Sequence, residues 1–162
     1  MNINDLEKLN IAVEFLSDQK TFSERIERLS EEIIHSREPF VWAVIDLNSI
    51  DRELPESIKS GWVFVLKKDV PSGCHYHPDS IQHMVMLKGR GMSKVAGISR
   101  KMVQFGSLND ALADTWYVIG KGVAHEFFPE DEDMIVVSFH TCEANELEEV
   151  ACDTGERRLY EG

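Results

Sequence analysis

The chain lacks the features that mark membrane and secreted proteins. No apolar run approaches the roughly 18 residues that a membrane-spanning helix needs, and the segment after Met1 does not follow the basic-then-apolar order of a secretory signal. Cysteine is scarce, and the spacing of Cys74, Cys142 and Cys152 matches no metal or disulfide framework. These absences predict a cytoplasmic protein with reduced thiols, in which Cys74 is a buried and unreactive thiol.

Positive charge is also in short supply. Lysine and arginine total 17 against 29 aspartates and glutamates, which gives a net charge of −12 at pH 7. The acidic residues concentrate at positions 130–133 and again between Glu143 and Glu156. Because such a surface repels phosphate backbones and anionic lipids, neither a nucleic acid nor a membrane is expected as a partner. Residues 143–162 are interpreted as an acidic C-terminal tail that serves solubility.

Histidine, however, occurs in a pattern suited to a metal ion. His75 and His77 lie two residues apart, and on a strand they would point to the same face, about 7 Å apart along the chain. His125 follows much later. Neutral imidazole is the commonest protein ligand for zinc, iron, copper and nickel, and three protein ligands leave coordination positions open. We therefore predict that His75, His77 and His125 bind one divalent ion (Fe, Mn, Ni or Zn).

The sequence around these histidines contains two motifs. The first reads HYHPDSIQHMVMLKG from His75, and the second reads GKGVAH and ends at His125. Together they resemble the cupin superfamily, whose motifs have the form HxH(x)3–4E(x)6G and PxGxxH. In this chain Gln82 stands at the glutamate position and Gly120 at the proline position.

This resemblance covers about half of the chain, from near residue 60 to near residue 140, and departs from the motifs at Asp69, Asp114 and Pro129. It implies a mainly β fold, the cupin-type double-stranded β-helix or jelly-roll barrel. It also implies a metal site in the barrel, but it does not specify a reaction.

Two neighbouring residues compete for the fourth ligand position. Gln82 and Met84 share one face of a predicted strand and His83 lies on the other, so only Gln82 or His83 can face the metal. The cupin register places Gln82 inside. However, imidazole is a better ligand than an amide for the softer metals, and a one-residue bulge would exchange the two. We favour Gln82, with His83 as the alternative. Because these ligands carry no negative charge, we expect a small anionic molecule at the site.

Helical and strand patterns divide the chain into three parts. Residues 5–18 carry one apolar helical stripe, and a second helix begins near a possible Thr21–Glu24 capping box and ends before Pro39. From Phe40 onward, short strands typical of a sandwich or barrel follow. The predicted architecture is a β-barrel preceded by two α-helices. Its parts are a helical extension (1–39), a cupin-like β-barrel (40–142) and the acidic tail (143–162).

Apolar residues indicate both a pocket wall and a possible partner. We expect the pocket to be lined by Trp62, Phe64, Met84, Met86 and Trp116. The apolar stripes of the two helices must be buried on the outside of the barrel or against a second copy of the chain. Because helices and strands together present more apolar surface than one small barrel readily covers, we expect a homodimer.

Three functional hypotheses follow. The favoured one is a small metal-dependent enzyme, a dioxygenase of the cupin type, in which Fe(II) binds an anionic substrate and then O₂. The second is a non-redox isomerase, lyase or hydrolase in which zinc, manganese or nickel polarises a carbonyl group. It needs a general base, which the sequence does not identify. The third is a non-catalytic domain that senses a metal or a ligand.

Overall fold

Two helices at the start of the chain are followed by short strands. The computed structural model describes residues 3–107 and 111–160; residues 1–2 and 161–162, the outer ends of the predicted extension and tail, lie outside the described residues. The helices are α1 (Ile3–Ser17), α2 (Lys20–His35) and the short α3 (Leu112–Thr115). The strands are β1 (Phe40–Ile45), β2 (Ser60–Leu66), β3 (His75–Tyr76), β4 (Gln82–Lys88), β5 (Gly91–Val95), β6 (Ile98–Lys101), β7 (Trp116–Ile119), β8 (His125–Pro129), β9 (Met134–His140), β10 (Glu148–Ala151) and β11 (Arg157–Leu159).

The strands form two sheets around a common interior. The five-stranded sheet has the order β1-β2-β9-β4-β7, and the six-stranded sheet has the order β11-β10-β3-β8-β5-β6. The ladders between strands are antiparallel. Consecutive strands such as β3 and β4 belong to different sheets, as in a jelly roll. The predicted mainly β jelly-roll barrel with two N-terminal α-helices is confirmed.

Side chains of the five-stranded sheet alternate between the barrel interior and an outer face covered by the helices. In β2, Trp62 and Phe64 belong to the interior cluster, whereas Val63 and Val65 belong to the outer cluster. Both sets are buried, because α1 and α2 pack on the outer face of this sheet. This is why the strand is apolar at odd and even positions alike.

The two long helices bury their apolar stripes on their own barrel. Leu9 of α1 and Ile33 of α2 are at most 1% exposed and lie in the outer cluster. The predicted capping box at Thr21 and Glu24 does not form, because α2 begins at Lys20. Its N-cap residue, Gln19, makes no side-chain hydrogen bond to the helix. In the described part of the chain, no helix is long and apolar enough to cross a membrane.

Two stretches of the predicted acidic tail (143–162), Glu148–Ala151 and Arg157–Leu159, form strands. Strands β10 and β11 extend the six-stranded sheet, and β10 pairs with β3. Val150 is 2% exposed. Glu149 lies directly across from Arg158 of β11 and forms an ion pair with it. The acidic composition concealed these strands, because pairing with arginine across the hairpin allows glutamate to occupy strand positions.

A disulfide joins Cys74, just before β3, to Cys152, just after β10. Their Cα atoms lie 5.5 Å apart although the residues are separated by 78 positions in sequence. The predictions of reduced thiols and of a free Cys74 are therefore wrong. The pairing of β10 with β3 brings the two cysteines together, and this tertiary contact cannot be read from cysteine spacing. Cys142 is free and buried.

Candidate metal centre

Three histidines converge on one point inside the barrel. Antiparallel pairing of β3 with β8 places His75 directly opposite His125, and His77 follows the end of β3. One ring nitrogen from each of His75, His77 and His125 lies within 4.8 Å of the other two. All three residues are buried. Such a set of nitrogens could hold a single metal ion.

The loop that delivers His125 is held by the backbone of His77. The N–H group of Gly122 donates to the carbonyl oxygen of His77 at 2.9 Å. Gly122 has a φ of 71°, in the left-handed region that side chains with a Cβ rarely adopt. The glycine of the second motif therefore serves the turn that places His125 beside the first motif.

Hydrogen bonds to backbone carbonyl groups fix the orientation of the three rings. The Nδ1 atoms of His75, His77 and His125 lie 3.1, 2.8 and 2.9 Å from the carbonyl oxygens of Gly73, Glu148 and Val123, respectively. A carbonyl oxygen only accepts, so each Nδ1 must carry the ring hydrogen. Each Nε2 is then left with its lone pair. This is the arrangement usual for metal-binding histidines.

Burial keeps these imidazoles neutral. Loss of solvation, and secondly the neighbouring His77, lowers the pKa of His75 to about 3. Burial is also the main reason why the pKa values of His77 and His125 lie below the ordinary value of 6.5. Because neutral imidazole is the form that binds a metal, the three histidines are ready to act as ligands at neutral pH.

Two buried polar atoms at this site have no hydrogen-bonding partner among the described residues, Oε1 of Gln82 and Nε2 of His125. The amide nitrogen of Gln82 donates to Oγ of Ser138 at 3.2 Å, which leaves the amide oxygen unpaired. A buried polar atom without a partner costs about 1–3 kcal/mol. A metal ion would satisfy both atoms, so the residues present fit a bound divalent ion.

The structure brings Gln82, and not His83, to the three histidines. The ladder between β4 and β9 is regular from Gln82 to Met86, and the register shift comes only after Met86. His83 is buried on the opposite face, where its Nδ1 donates to the carbonyl oxygen of Phe139 at 3.2 Å. The irregularity in β4 therefore comes too late in the strand to exchange Gln82 and His83.

Known structures share this arrangement of strands. No family model and no curated protein matches the chain. It is similar to the coconut allergen cocosin, with a TM-score of 0.54, 14% identity, and coverage of 76% of this chain and 31% of that chain. It is also similar to Lactobacillus farciminis oxalate decarboxylase in a formate complex, with a TM-score of 0.51, 16% identity, and coverage of 73% and 32%. A cupin-2 domain protein of Rhodospirillum rubrum has a TM-score of 0.48 and 14% identity, and the match covers 76% of this chain and 67% of that chain. The chain has the cupin fold.

The chain spans about one third of the length of cocosin and of the oxalate decarboxylase. The similarity therefore concerns a single cupin barrel. In this chain, two long helices precede that barrel. Three buried histidines inside this cupin barrel could hold a metal ion.

His140, to which the sequence analysis assigned no role, faces the same cavity of the cupin barrel. It lies on β9 directly across from Gln82 of β4. Its ring centroid is 5.0 Å from that of His77, and its Nδ1 is 2.8 Å from Oγ of Ser80. Burial holds its pKa well below the ordinary value. The sequence contained the pattern that places His140 inside, because Val136, Ser138 and His140 occupy every second position of β9 and so share the interior face.

The cavity beside the histidines is small and largely apolar. Its volume is about 30 Å³. A small ligand fits beside the histidines. Its walls are Phe40, Phe64, Leu66, Ser72, His75, His77, Gln82, Met84, Phe127, Val136, Ser138, His140 and Tyr160.

The predicted pocket wall is partly different from the observed one. Phe64 and Met84 line the cavity. Trp62 and Met86 belong to the interior cluster but do not reach the cavity. Trp116 lies in the outer cluster, where its Nε1 donates to Asn10 of α1 at 3.0 Å. Its place in the predicted wall is wrong, because the alternation of β7 directs it away from the interior.

The C-terminal strands complete the site. An Oε1 atom of Glu149 lies 3.3 Å from Nδ1 of His75, and the same carboxylate forms an ion pair with Arg158. Tyr160 is 3% exposed and lines the cavity. Burial raises the pKa of its hydroxyl well above the ordinary value. A carboxylate beside a metal-binding histidine typically orients the ring, so Glu149 of β10 helps to fix the orientation of His75.

Proposed function

We propose that this cupin is a metal-dependent enzyme that acts on a small anionic molecule, with oxygenation as the favoured reaction. The proposed ligands are His75, His77, His125 and Gln82. The observation that carries the proposal is that each of the three histidines has its Nδ1 hydrogen bonded to a backbone carbonyl, with its Nε2 lone pair free. Three protein nitrogens and one amide leave coordination positions for a substrate.

The charge of the site supports an anionic substrate. None of the cavity walls in the described chain carries a carboxylate, and the proposed ligands are neutral. The carboxylate of Glu149 contacts His75, but it is paired with Arg158. A divalent ion in the cavity would therefore keep most of its charge in an apolar surrounding, which is unfavourable unless an anion offsets it. The cavity volume of about 30 Å³ favours a small substrate.

The residues around the cavity would protect the reaction from bulk water. Phe40, Phe64, Met84, Phe127 and Val136 form an apolar wall. A bound ferrous ion would supply the redox chemistry that an oxygenase requires. The chain itself binds and orients the substrate and excludes water.

A non-redox isomerase or lyase is the second candidate, because the structure supplies a group that the sequence did not identify. A neutral histidine, His140, faces the cavity and is positioned by Ser80. Neutral imidazole can act as a general base when its Nε2 keeps the lone pair, so this candidate requires the ring hydrogen of His140 on Nδ1. This candidate uses the same metal site with zinc, manganese or nickel.

Metal identity and oxygen consumption test the proposal. Protein purified without chelator is analysed for its metal content. The Fe(II) form is then assayed for O₂ uptake with a panel of small carboxylates, thiols and diketones, and oxygen uptake with the smallest anions is the expected result. Turnover in anaerobic buffer with a redox-inert metal would favour the isomerase or lyase. Tight metal binding without any turnover would favour a sensing domain and contradict both enzymatic candidates.

We also propose a homodimer. The helices do not require it, since they pack on their own barrel. Support comes from a surface groove in which Ile98 and Val118 are 72% and 44% exposed. The proposed cytoplasmic location requires Cys74 and Cys152 to stay bonded where most thiols are kept reduced. Labelling of free thiols in freshly lysed cells tests that location.

A further inference from the structure

His140 differs from the three proposed ligand histidines in the group that its Nδ1 contacts. His140 is 1% exposed, lines the cavity, and has its Nδ1 2.8 Å from the hydroxyl oxygen of Ser80. The proposed ligand histidines face carbonyl oxygens, which only accept hydrogen bonds. A hydroxyl group can donate as well as accept. His140 is therefore not restricted to the tautomer that the other three must adopt.

The surroundings of Ser80 decide which tautomer His140 adopts. Oγ of Ser80 accepts a hydrogen bond from the N–H group of Thr141 at 3.2 Å. The hydroxyl hydrogen then has two acceptors, Nδ1 of His140 at 2.8 Å and the carbonyl oxygen of Ile81 at 3.3 Å. The shorter contact is the stronger hydrogen bond. We infer from the 2.8 Å contact that Nδ1 of His140 accepts and that its Nε2 carries the ring hydrogen; a hydroxyl hydrogen directed at Ile81 instead would leave Nδ1 as the donor.

This assignment gives the cavity two kinds of imidazole. His75, His77 and His125 present lone pairs, which suit a cation, whereas His140 presents an N–H donor, which suits an anion. Ser138 lies two residues before His140 on the same face of β9. Its Oγ accepts from the Gln82 amide, so its own hydrogen is available to a ligand as well.

We propose that His140 and Ser138 bind the substrate anion of the proposed function, as donors to the oxygen atoms of a small carboxylate, with Ser80 as the residue that positions His140. A carboxylate has two oxygen atoms that accept in one plane, and the two donors occupy adjacent interior positions of one strand. The ligand class is a small carboxylate, which fits a cavity of about 30 Å³. This inference rests on the proposed metal site for the charge that attracts the anion.

The tautomer of His140 is measured directly by NMR. The full chain, labelled with ¹⁵N-histidine and loaded with zinc, gives long-range ¹H–¹⁵N spectra that distinguish the protonated ring nitrogen in each histidine. Variants at single histidines assign the signals. We expect the hydrogen on Nδ1 in His75, His77, His83 and His125 and on Nε2 in His140. A hydrogen on Nδ1 of His140 would overturn the proposal, because Nε2 would then act as an acceptor or a fourth metal ligand.

Calorimetry with formate tests anion binding. Formate is titrated into the zinc-loaded wild type and into His140→Phe, His140→Gln, Ser80→Ala and the control His83→Gln, which alters a buried histidine outside the cavity. We expect His140→Phe to weaken formate binding roughly tenfold or more, as for the loss of a hydrogen bond to a charged group. His140→Gln should recover part of it, since its amide also donates, and Ser80→Ala should lie in between. Zinc affinity should not change.

Equal formate affinity in the wild type and both His140 variants, with zinc still bound, would contradict the proposal. Loss of zinc from His140→Gln would instead identify His140 as a metal ligand and also overturn it. A wild type that binds no zinc would contradict the proposed function. The spectrum of the same sample would still decide the tautomer of His140.

Discussion

His77 donates a hydrogen bond from its Nδ1 to the carbonyl oxygen of Glu148, 71 positions later in the chain, at 2.8 Å. This bond makes strand β10 part of the candidate metal site. The next residue, Glu149, contacts the ring of His75. The disulfide between Cys74 and Cys152 closes the same pair of strands. Strand β10 thus supports His77 and His75, in addition to the hydrogen bonds that Gly73 and Val123 accept.

The first prediction concerns this disulfide. Cys152→Ser, or reduction of the wild type, should lower the free energy of unfolding by about 2–4 kcal/mol, because the crosslink constrains a long loop in the unfolded chain. Metal affinity should fall as well, since β10 holds His75 and His77 in orientation. Urea denaturation with and without dithiothreitol measures the first effect. In the control Cys142→Ser, dithiothreitol should still lower the free energy of unfolding. If dithiothreitol does not change the free energy of unfolding of the wild type, the disulfide does not stabilise the fold.

The second prediction separates the histidines by face. His77→Ala should weaken metal binding by more than the roughly 10–100-fold that loss of an outer-shell partner costs. His83→Ala should keep the metal, because His83 lies on the other face of β4. Elemental analysis after dialysis, with circular dichroism to confirm folding, gives the result. If the metal is lost from His83→Ala and retained in His77→Ala, the proposed ligand set is wrong.

The third prediction concerns charge at the metal. Gln82→Glu should tighten binding of the bare divalent ion, because a carboxylate supplies negative charge, and should weaken binding of an anion in the same cavity. Gln82→Ala should weaken metal binding, since the amide oxygen is removed. Titration calorimetry with the ion alone and then with formate distinguishes the variants. Unchanged ion affinity in both would mean that Gln82 does not contact the metal.

The fourth prediction concerns pH. Burial lowers the folded-state pKa of His75 to about 3, and the pKa values of His77 and His125 are lowered as well. The unfolded chain therefore binds more protons than the folded chain between about pH 6.5 and 3. In the metal-free protein, the stability that depends on neutral histidines is fully present above pH 6.5. It should fall with decreasing pH in that window, by up to roughly 1.4 kcal/mol per pH unit for each such histidine.

Chemical denaturation at a series of pH values tests this dependence. His75→Gln should flatten the pH profile, because the variant has no imidazole to protonate at that position. The control His35→Gln, at the exposed end of α2, should leave the slope unchanged. A stability that is constant from pH 7 to pH 4 would contradict the burial argument.

The fifth prediction is a homodimer in solution. Sedimentation at micromolar concentrations should give twice the mass of the chain, 18.5 kDa. Ile98→Glu should shift the mass towards the monomer, because a charge in an apolar interface is costly. Ile34→Glu is a matched control, since Ile34 is also exposed, at 66%, but lies on α2. A monomeric wild type would contradict the prediction.

The sequence was informative wherever the structure depends on neighbours within one element. The sequence predicts strands at 61–67, 81–88 and 134–140, and β2, β4 and β9 lie within one residue of these bounds. The agreement arises because the alternation of side chains is a property of a single strand. The spacing of His75 and His77 places both on one face for the same reason. The stripes of the two helices predicted buried faces, and one of the two alternatives, the outside of the barrel, is observed.

The tertiary structure alone decided the rest. Gln82 rather than His83 faces the interior because the ladder with β9 stays regular up to Met86, and register is a property of two strands. His140 and Glu149 join the site through pairing across the barrel, and the bond between Cys74 and Cys152 closes over 78 positions. A local pattern does not encode which distant strands will pair. For this reason the sequence predicted a metal-binding centre, whereas its supporting shell and its small cavity emerge only from the packed fold.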